Sequence, residues 1–111
     1  MNITMRTVGK GVILDCSGRI TVGAGTTTVR NAVRDAIRGG SKKIVLNLEN
    51  VEYADSSGIG ELVSSFTHVQ SQGGKLVLLN LPKRIRDLLI ITKLMPVFEV
   101  FSEEKTALAG C

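Results

Sequence analysis

Apolar residues along the chain change their spacing several times, and the first pattern predicts a pair of strands. Alternation within GVILDCSG places Val12, Leu14 and Cys16 on one face and Ile13 with Asp15 on the other. The preceding NITMRTV is joined to this segment by GKG, whose glycines suit a tight hairpin turn. The chain is therefore expected to begin with two antiparallel strands.

Helical spacing appears in two longer stretches. The first predicted helix has Thr26 or Thr27 as its cap and ends at Gly39. Its expected inward face consists of Val29, Ala32, Val33, Ala36 and Ile37. The second helix is predicted from Gly58 onward and ends where SQGGK breaks the pattern. Its expected inward face consists of Ile59, Leu62, Val63, Phe66 and Val69.

Two short runs rich in branched apolar residues, KKIVLNL and KLVLLNL, predict buried strands on either side of that second helix. Pro82 then suits the first turn of a third helix, and Pro96 forbids its continuation past Met95. The inward residues of this helix are expected to be Ile85, Leu88 and Leu89.

The C-terminal segments complete the predicted architecture. VFEVF predicts a last short strand, and SEEKTALAG predicts a terminal helix with Ser102 as its cap. A hairpin followed by alternating helices and strands indicates an α/β fold. We expect residues 1–111 to form one domain, with a mixed, partly parallel sheet of four to five strands and about four helices mainly on one face.

Composition narrows the function classes. The chain has 111 residues and a formal charge of +4, but its Lys and Arg are scattered, and few aromatic residues offer platforms for bases. Arg30, Arg34 and Arg38 recur every four residues, which is more typical of the solvated face of a helix than of a phosphate-binding stripe. We therefore expect no nucleic-acid partner.

Cysteine usage and hydropathy favour a reducing cytoplasm. Cys16 lies in an apolar stretch and Cys111 at the end, which gives neither a disulfide framework nor a metal-ligand spacing. Cys16 is expected in the core and Cys111 as a spectator thiol. The start of the chain lacks a secretory signal, and no stretch approaches the roughly 20 apolar residues that span a bilayer. We expect no metal, no cofactor, no membrane insertion and a monomer or weak dimer.

The segment VEYADSSGIGELV concentrates polar residues where a strand gives way to a helix. A hydrolase elbow would need glycines two residues either side of Ser57, where Asp55 and Ile59 stand instead. The single histidine, His68, would lie roughly 16 Å further along the helix axis, beyond reach of Ser57, and is expected at the helix surface. We therefore expect no catalytic residues and no enzyme.

Two other interpretations of this segment remain. SSGIGE lacks the lysine of a phosphate-binding loop and the third glycine of a dinucleotide turn, so it indicates nucleotide binding only weakly. Asp55, Ser56 or Ser57 could cap the helix, but one cap suffices. The redundancy of three polar side chains, followed by Gly58, leaves an exposed seryl hydroxyl as a plausible modification site.

The stretch YADSSGIG, preceded by IVLNLENVEYA and followed by GGKLVLLNLPKRIRDLLIITKLMPVFEVFSEEKTAL, resembles the STAS domain, in particular the stand-alone anti-sigma factor antagonists of bacteria. The resemblance covers essentially the whole chain. It implies a binding module that, unphosphorylated, binds an anti-sigma factor that is also a serine kinase and so releases a sigma factor. It implies phosphorylation of Ser57, with Ser56 as the second choice, and reversal by a serine phosphatase.

The same resemblance suggests a partner-binding surface of five residues: Asp55, Ser56, Gly58, Arg19 and Thr21. Sporulation-type antagonists tend to carry Gly-Glu-Leu-Asp after the second strand, whereas this sequence reads SGRITVGAG, with Arg19 for the Glu and Thr21 for the Asp. A charge reversal at this edge suggests a different partner. The alternative is therefore a non-switching STAS subunit of a transporter or a signalling scaffold.

Overall fold

The computed structural model describes residues 1–109, and its elements follow the predicted order of a hairpin and alternating helices and strands. Gly110 and Cys111, and with them the predicted spectator thiol and the end of the predicted last helix, lie outside the described residues. The strands are β1 (Asn2–Val8), β2 (Gly11–Ile20), β3 (Lys43–Ala54), β4 (Lys75–Leu79) and β5 (Val100–Phe101). The α-helices are α1 (Ala24–Arg38), α2 (Ser56–Ser71), α3 (Lys83–Ile91) and α4 (Glu104–Leu108), and a 3-10 turn lies at Met95–Val97.

One five-stranded sheet organises the chain, in the order β1-β2-β3-β4-β5. β1 pairs with β2 antiparallel, and the other neighbouring strands pair parallel. The hairpin turn contains Gly9 with a φ of 59°, a left-handed conformation that glycine adopts easily. The predicted α/β fold with a mixed sheet is therefore confirmed.

The two faces of the sheet are covered unequally. On one face α1, α2 and α3 bury the larger core, which includes Val12, Leu14 and Cys16 of β2, as their alternation predicts. On the other face a smaller cluster forms under α4. It contains Ile13, Val45, Val77, Leu79 and Ala107. The prediction that the helices lie mainly on one face is confirmed.

Helix starts differ from the prediction. α1 begins at Ala24 after Gly23, whose φ of 92° lets the chain turn into the helix without a side-chain cap. Thr26 lies inside the helix, and its hydroxyl donates to the Gly23 carbonyl at 3.1 Å, so the prediction that Thr26 or Thr27 caps α1 is wrong. The predicted end at Gly39 is confirmed.

The C-terminal elements are shorter than predicted. Pro82 is the cap of α3 rather than part of its first turn, and the helix ends at Ile91, before Pro96 can limit it. Lys93, with a left-handed φ of 61°, prevents continuation. β5 has only two residues, and Glu103 rather than Ser102 precedes α4, without a side-chain hydrogen bond.

β2 and β3 run further than the sequence pattern indicates. β3 continues from the predicted end at Leu48 to Ala54, because Val51 and Ala54 still face the core after the exposed Glu49. Register shifts in the β2–β3 pairing bring Ile20 opposite Ala54 at the carboxyl ends of the strands. This extension places the connections to α1 and α2 side by side.

Among residues 1–109, none of the helices is both long and apolar enough to cross a membrane.

Cys16 belongs to the core, as predicted. Burial of the Cys16 thiol raises its pKa to about 12, with a smaller contribution from the charge of Asp15. At pH 8 this lowers the thiolate fraction by about three powers of ten relative to an ordinary cysteine.

We predict that iodoacetamide at pH 8 alkylates Cys16 in the native protein at least about 100-fold more slowly than in urea, because the thiolate is scarce and the side chain is covered. Mass spectrometry of the peptide containing Cys16 measures the rates, and the urea-denatured protein is the reference. Equal rates in the two states would mean that this face of β2 does not form the core.

Candidate functional site

Two chain connections meet at the carboxyl ends of β2 and β3, the edge of a parallel sheet where ligands and partners commonly bind. Residues 21–23 link β2 to α1, and Asp55 links β3 to α2. The pairing of Ile20 with Ala54 brings these two connections together. The predicted Asp-Ser-Ser-Gly segment therefore lies beside the end of β2.

The Asp55 carboxylate joins the two connections. One oxygen, Oδ1, accepts a hydrogen bond from the backbone N–H of Gly58 at 2.8 Å and caps α2. The other, Oδ2, accepts from the backbone N–H of Val22 at 3.1 Å. The backbone N–H of Asp55 itself donates to the Ile20 carbonyl at 3.3 Å. α2 thus begins at Ser56, two residues before the predicted start, and Asp55 is its cap.

These amide donors lower the pKa of the Asp55 carboxyl. The Gly58 amide has the largest effect and the Val22 amide the next largest. The side chain is therefore ionised at neutral pH. Because folding lowers this pKa, the bridge stabilises the fold fully above the ordinary carboxyl pKa of about 4, and this contribution is lost as the pH falls through the lowered native value.

Glycine is required where the helices pack on the end of β2. A Cβ atom on Gly58 would lie 2.0 Å from the Ile20 carbonyl oxygen, and one on Gly25 would lie 2.6 Å from the Arg19 carbonyl oxygen. Both contacts are with backbone atoms, which cannot move aside cheaply. The first turns of α1 and α2 therefore rest directly on the β2 backbone, and Gly58 has a packing role.

Ser56 and Ser57 both point into solvent, since each is exposed while Asp55 carries the cap. Ser57 also borders a shallow groove between the first turns of α1 and α2. The groove is lined by Val22, Thr26 and Arg30 on one side and by Ser57, Gly60, Glu61 and Ser64 on the other. The hydroxyl of Ser57 is therefore accessible from the groove.

Arg19 and Thr21, the other predicted partner-binding residues, lie at the end of β2 and in the connection to α1. The exposed guanidinium of Arg19 lies 4.8 Å from the centre of the Tyr53 ring, a cation–π contact that holds it over β3. The Thr21 carbonyl accepts from the Thr26 N–H at 3.1 Å and helps to begin α1. Neither residue lines the Ser57 groove.

Sequence reasoning missed Val22 and Glu61. Val22 is 72% exposed and lines the same groove as Ser57. Because it lies outside every periodic stretch, no pattern could have marked it. Glu61 is a buried acid on the inward side of α2, where apolar spacing alone gives no sign of a charged residue.

His68 lies away from Ser57, as expected, but is half-buried rather than at the open surface. It borders a small cavity of about 90 Å³ between α1 and α2, which Ser57 does not line. Within residues 1–109, no cluster of three or more His, Cys, Asp or Glu side chains is suited to bind a metal ion.

We predict that Gly58→Ala lowers the free energy of unfolding by about 1–3 kcal/mol, because the new methyl group must displace the Ile20 carbonyl. Gly60→Ala is the matched control, since Gly60 lies two residues further along the same helix with open space around it. Alanine there is expected to raise the stability by up to about 1 kcal/mol. Urea unfolding measures both changes, and a Gly58→Ala protein as stable as the parent would contradict the close contact.

Comparison with known proteins identifies the family. The STAS domain family model matches residues 2–107. The anti-sigma-B factor antagonist of Bacillus subtilis (strain 168) is 29% identical over 105 residues, which cover 95% of this chain and 94% of that protein.

Solved structures show the same fold at lower identity. A Thermotoga maritima protein proposed to be an anti-sigma factor antagonist has a TM-score of 0.84 and 23% identity, covering 96% of this chain and 91% of that one. The Bacillus cell fate determinant SpoIIAA in its phosphorylated form has a TM-score of 0.71 and 22% identity, covering 95% of this chain and 96% of that one. Its unphosphorylated form has a TM-score of 0.76 and 22% identity, covering 95% and 92%. Since the family model spans nearly the whole chain and the architecture agrees, the chain belongs to the STAS domain family.

Proposed function

We propose that this protein is an anti-sigma factor antagonist, a cytoplasmic binding module and not an enzyme. Unphosphorylated, it binds an anti-sigma factor that is also a serine kinase, and a sigma factor is released. The kinase phosphorylates Ser57 and thereby ends the interaction, and a serine phosphatase restores it. The observation that carries this proposal is the exposed Ser57 hydroxyl beside a backbone fixed by Asp55.

Ser57 is preferred to Ser56 as the acceptor because of its surroundings. Both side chains are exposed, but Ser57 borders the groove that also contains the exposed Val22. A partner that covers this groove would bury Ser57 together with an apolar contact. Ser56 is the second choice.

Phosphorylation at Ser57 is compatible with the fold. The side chain contributes neither the cap of α2 nor a core contact, so a phosphate replaces solvent rather than protein. SpoIIAA has this fold in both its phosphorylated and its unphosphorylated forms. A phosphate would add about two negative charges next to Asp55, and those charges would have to lose water in a packed interface. We infer that the modification changes binding while the domain stays folded.

The proposed partner-binding surface comprises Asp55 and Ser56 with the neighbouring Arg19 and Thr21. Gly58, the fifth predicted residue, is buried and supports this surface by packing on Ile20. Val22 adds an apolar contact, because a valine that is 72% exposed gains by being covered. Arg19 is held over Tyr53 and presents a positive charge at the edge. We therefore expect the partner to present an acidic group to Arg19.

We predict that Ser57→Ala abolishes phosphorylation in the native cells while changing the free energy of unfolding by no more than about 0.5 kcal/mol, as is usual at exposed positions. Ser57→Asp should keep the fold and weaken binding to the kinase. Ser56→Ala is the matched control and should be phosphorylated normally. Intact-mass measurement and peptide mapping, during growth and under stress, give the site and its occupancy.

Two results would contradict this assignment. Phosphorylation of the Ser57→Ala protein at the normal rate would move the acceptor to Ser56. A Ser57 that stays unmodified in every condition, in a protein that copurifies with a transporter ATPase or a signalling scaffold, would replace the antagonist with the non-switching subunit.

We also predict that Arg19→Glu weakens binding to the cognate kinase at least about tenfold, equivalent to about 1.4 kcal/mol, because it sets a negative charge against an acidic group. Arg38→Glu is the control. This substitution changes the net charge by the same amount, but at the far end of α1, where Arg38 pairs with Asp35. Calorimetry with the purified kinase measures both affinities. An equal loss of affinity in the two variants would mean that binding depends only on the net charge of the protein and not on a contact of Arg19.

A further inference from the structure

An ion pair between an exposed arginine and a buried glutamate connects α1 to α2 close to Ser57. The Arg30 guanidinium donates from Nε and Nη2 to one oxygen of Glu61, at 3.1 and 2.8 Å. The Ser65 hydroxyl donates to the other oxygen at 3.0 Å. The Glu61 side chain is only 4% exposed, whereas that of Arg30 is 48% exposed. The carboxylate is fixed inside the helix pair, and the guanidinium reaches it from the surface.

Helical spacing places this pair beside the proposed phosphorylation site. Ser57 and Glu61 are four residues apart in α2, so their side chains lie on the same face, one turn apart. Ser57, Arg30 and Glu61 all border the same groove. Arg30 therefore brings a positive charge to the groove in which the Ser57 hydroxyl is accessible.

A phosphate on Ser57 would need such a charge. It would be a dianion two residues from the Asp55 carboxylate and four residues, or one turn, from the Glu61 carboxylate. Like charges four residues apart on a helix repel each other. A guanidinium has five N–H donors, of which Glu61 accepts two. Arg30 therefore retains three donors that could reach a second anion while its contact with Glu61 persists.

We propose that Arg30 is the internal counter-ion of the phosphate on Ser57. The guanidinium then bridges the phosphate and Glu61, and phosphorylation ties the first turn of α2 to α1 across the groove. This inference rests on the proposed function, which names Ser57 as the residue that is phosphorylated. It assigns to Arg30 a role that its position on a solvated helix face did not suggest.

The test uses full-length protein with phosphoserine installed at position 57 during translation, so that no kinase is needed. A 31P NMR titration gives the second pKa of the phosphate. We expect this pKa to be about 0.3–0.7 unit higher in Arg30→Gln than in the parent, the size of shift that a partly exposed charge pair produces. Arg30→Lys should recover part of the difference.

Arg34→Gln is the matched control. Arg34 is an exposed arginine one turn further along α1, and it lines the small cavity near His68 but not the Ser57 groove. Its removal changes the net charge equally and should leave the phosphate pKa within about 0.1 unit of the parent, because exposed charges at a distance are screened by salt. Equal shifts in the two variants, or no shift in Arg30→Gln, would overturn the proposal.

A second variant covers the case in which Arg30→Gln does not fold. Glu61→Gln retains Arg30 but removes the competing carboxylate, so the phosphate pKa should fall below that of the parent. An unchanged or higher value would contradict a guanidinium shared between Glu61 and the phosphate. Because the phosphate is installed independently of any kinase, these results do not depend on whether Ser57 is modified in cells. The peptide mapping described above tests that question separately.

Discussion

Two hydrogen bonds to the Asp55 carboxylate hold together the connections on which the candidate surface is built. One comes from the first turn of α2, through Gly58, and the other comes from Val22 in the connection that follows β2. A single side chain therefore fixes the start of one helix relative to the approach to another. The absence of a side chain at Gly58 lets α2 lie directly on the Ile20 carbonyl, so the helix packs closely against the edge of the sheet. The exposed groups nearby are thus presented on backbone that is held from several directions.

The four consecutive residues of the Asp-Ser-Ser-Gly segment have separate physical roles. Asp55 caps the helix, Gly58 provides the close contact, and Ser56 and Ser57 remain in solvent. The cap and the accessible hydroxyl are therefore on different side chains. A negative charge can be added at position 57 without breaking a hydrogen bond that starts the helix. Such independence of folding from surface charge is what a binding module controlled by modification would need.

Local patterns were sufficient to predict most elements, because the inward faces of strands and helices depend on neighbours only a few residues away. The alternation around Leu14 and the helical spacing around Val33 both proved correct. Most errors occurred at element ends. Glycine at position 23 starts α1 through its backbone conformation, which the search for a threonine cap could not reveal. β3 was predicted too short because its apolar residues become sparse beyond Leu48, although Val51 is still buried.

The contact between Arg30 and Glu61 marks the limit of reasoning from the sequence, because it joins residues 31 positions apart. The four-residue spacing of arginines correctly placed Arg30 on an exposed face, but no local pattern identifies its partner across the groove. The same contact suggests how a phosphate could act on binding. An acidic group of a partner that enters the groove would need the positive charge of Arg30. A phosphate on the same chain is present at high effective concentration and would occupy that charge first. Repulsion and competition would then weaken the complex together, with no large movement of the helices.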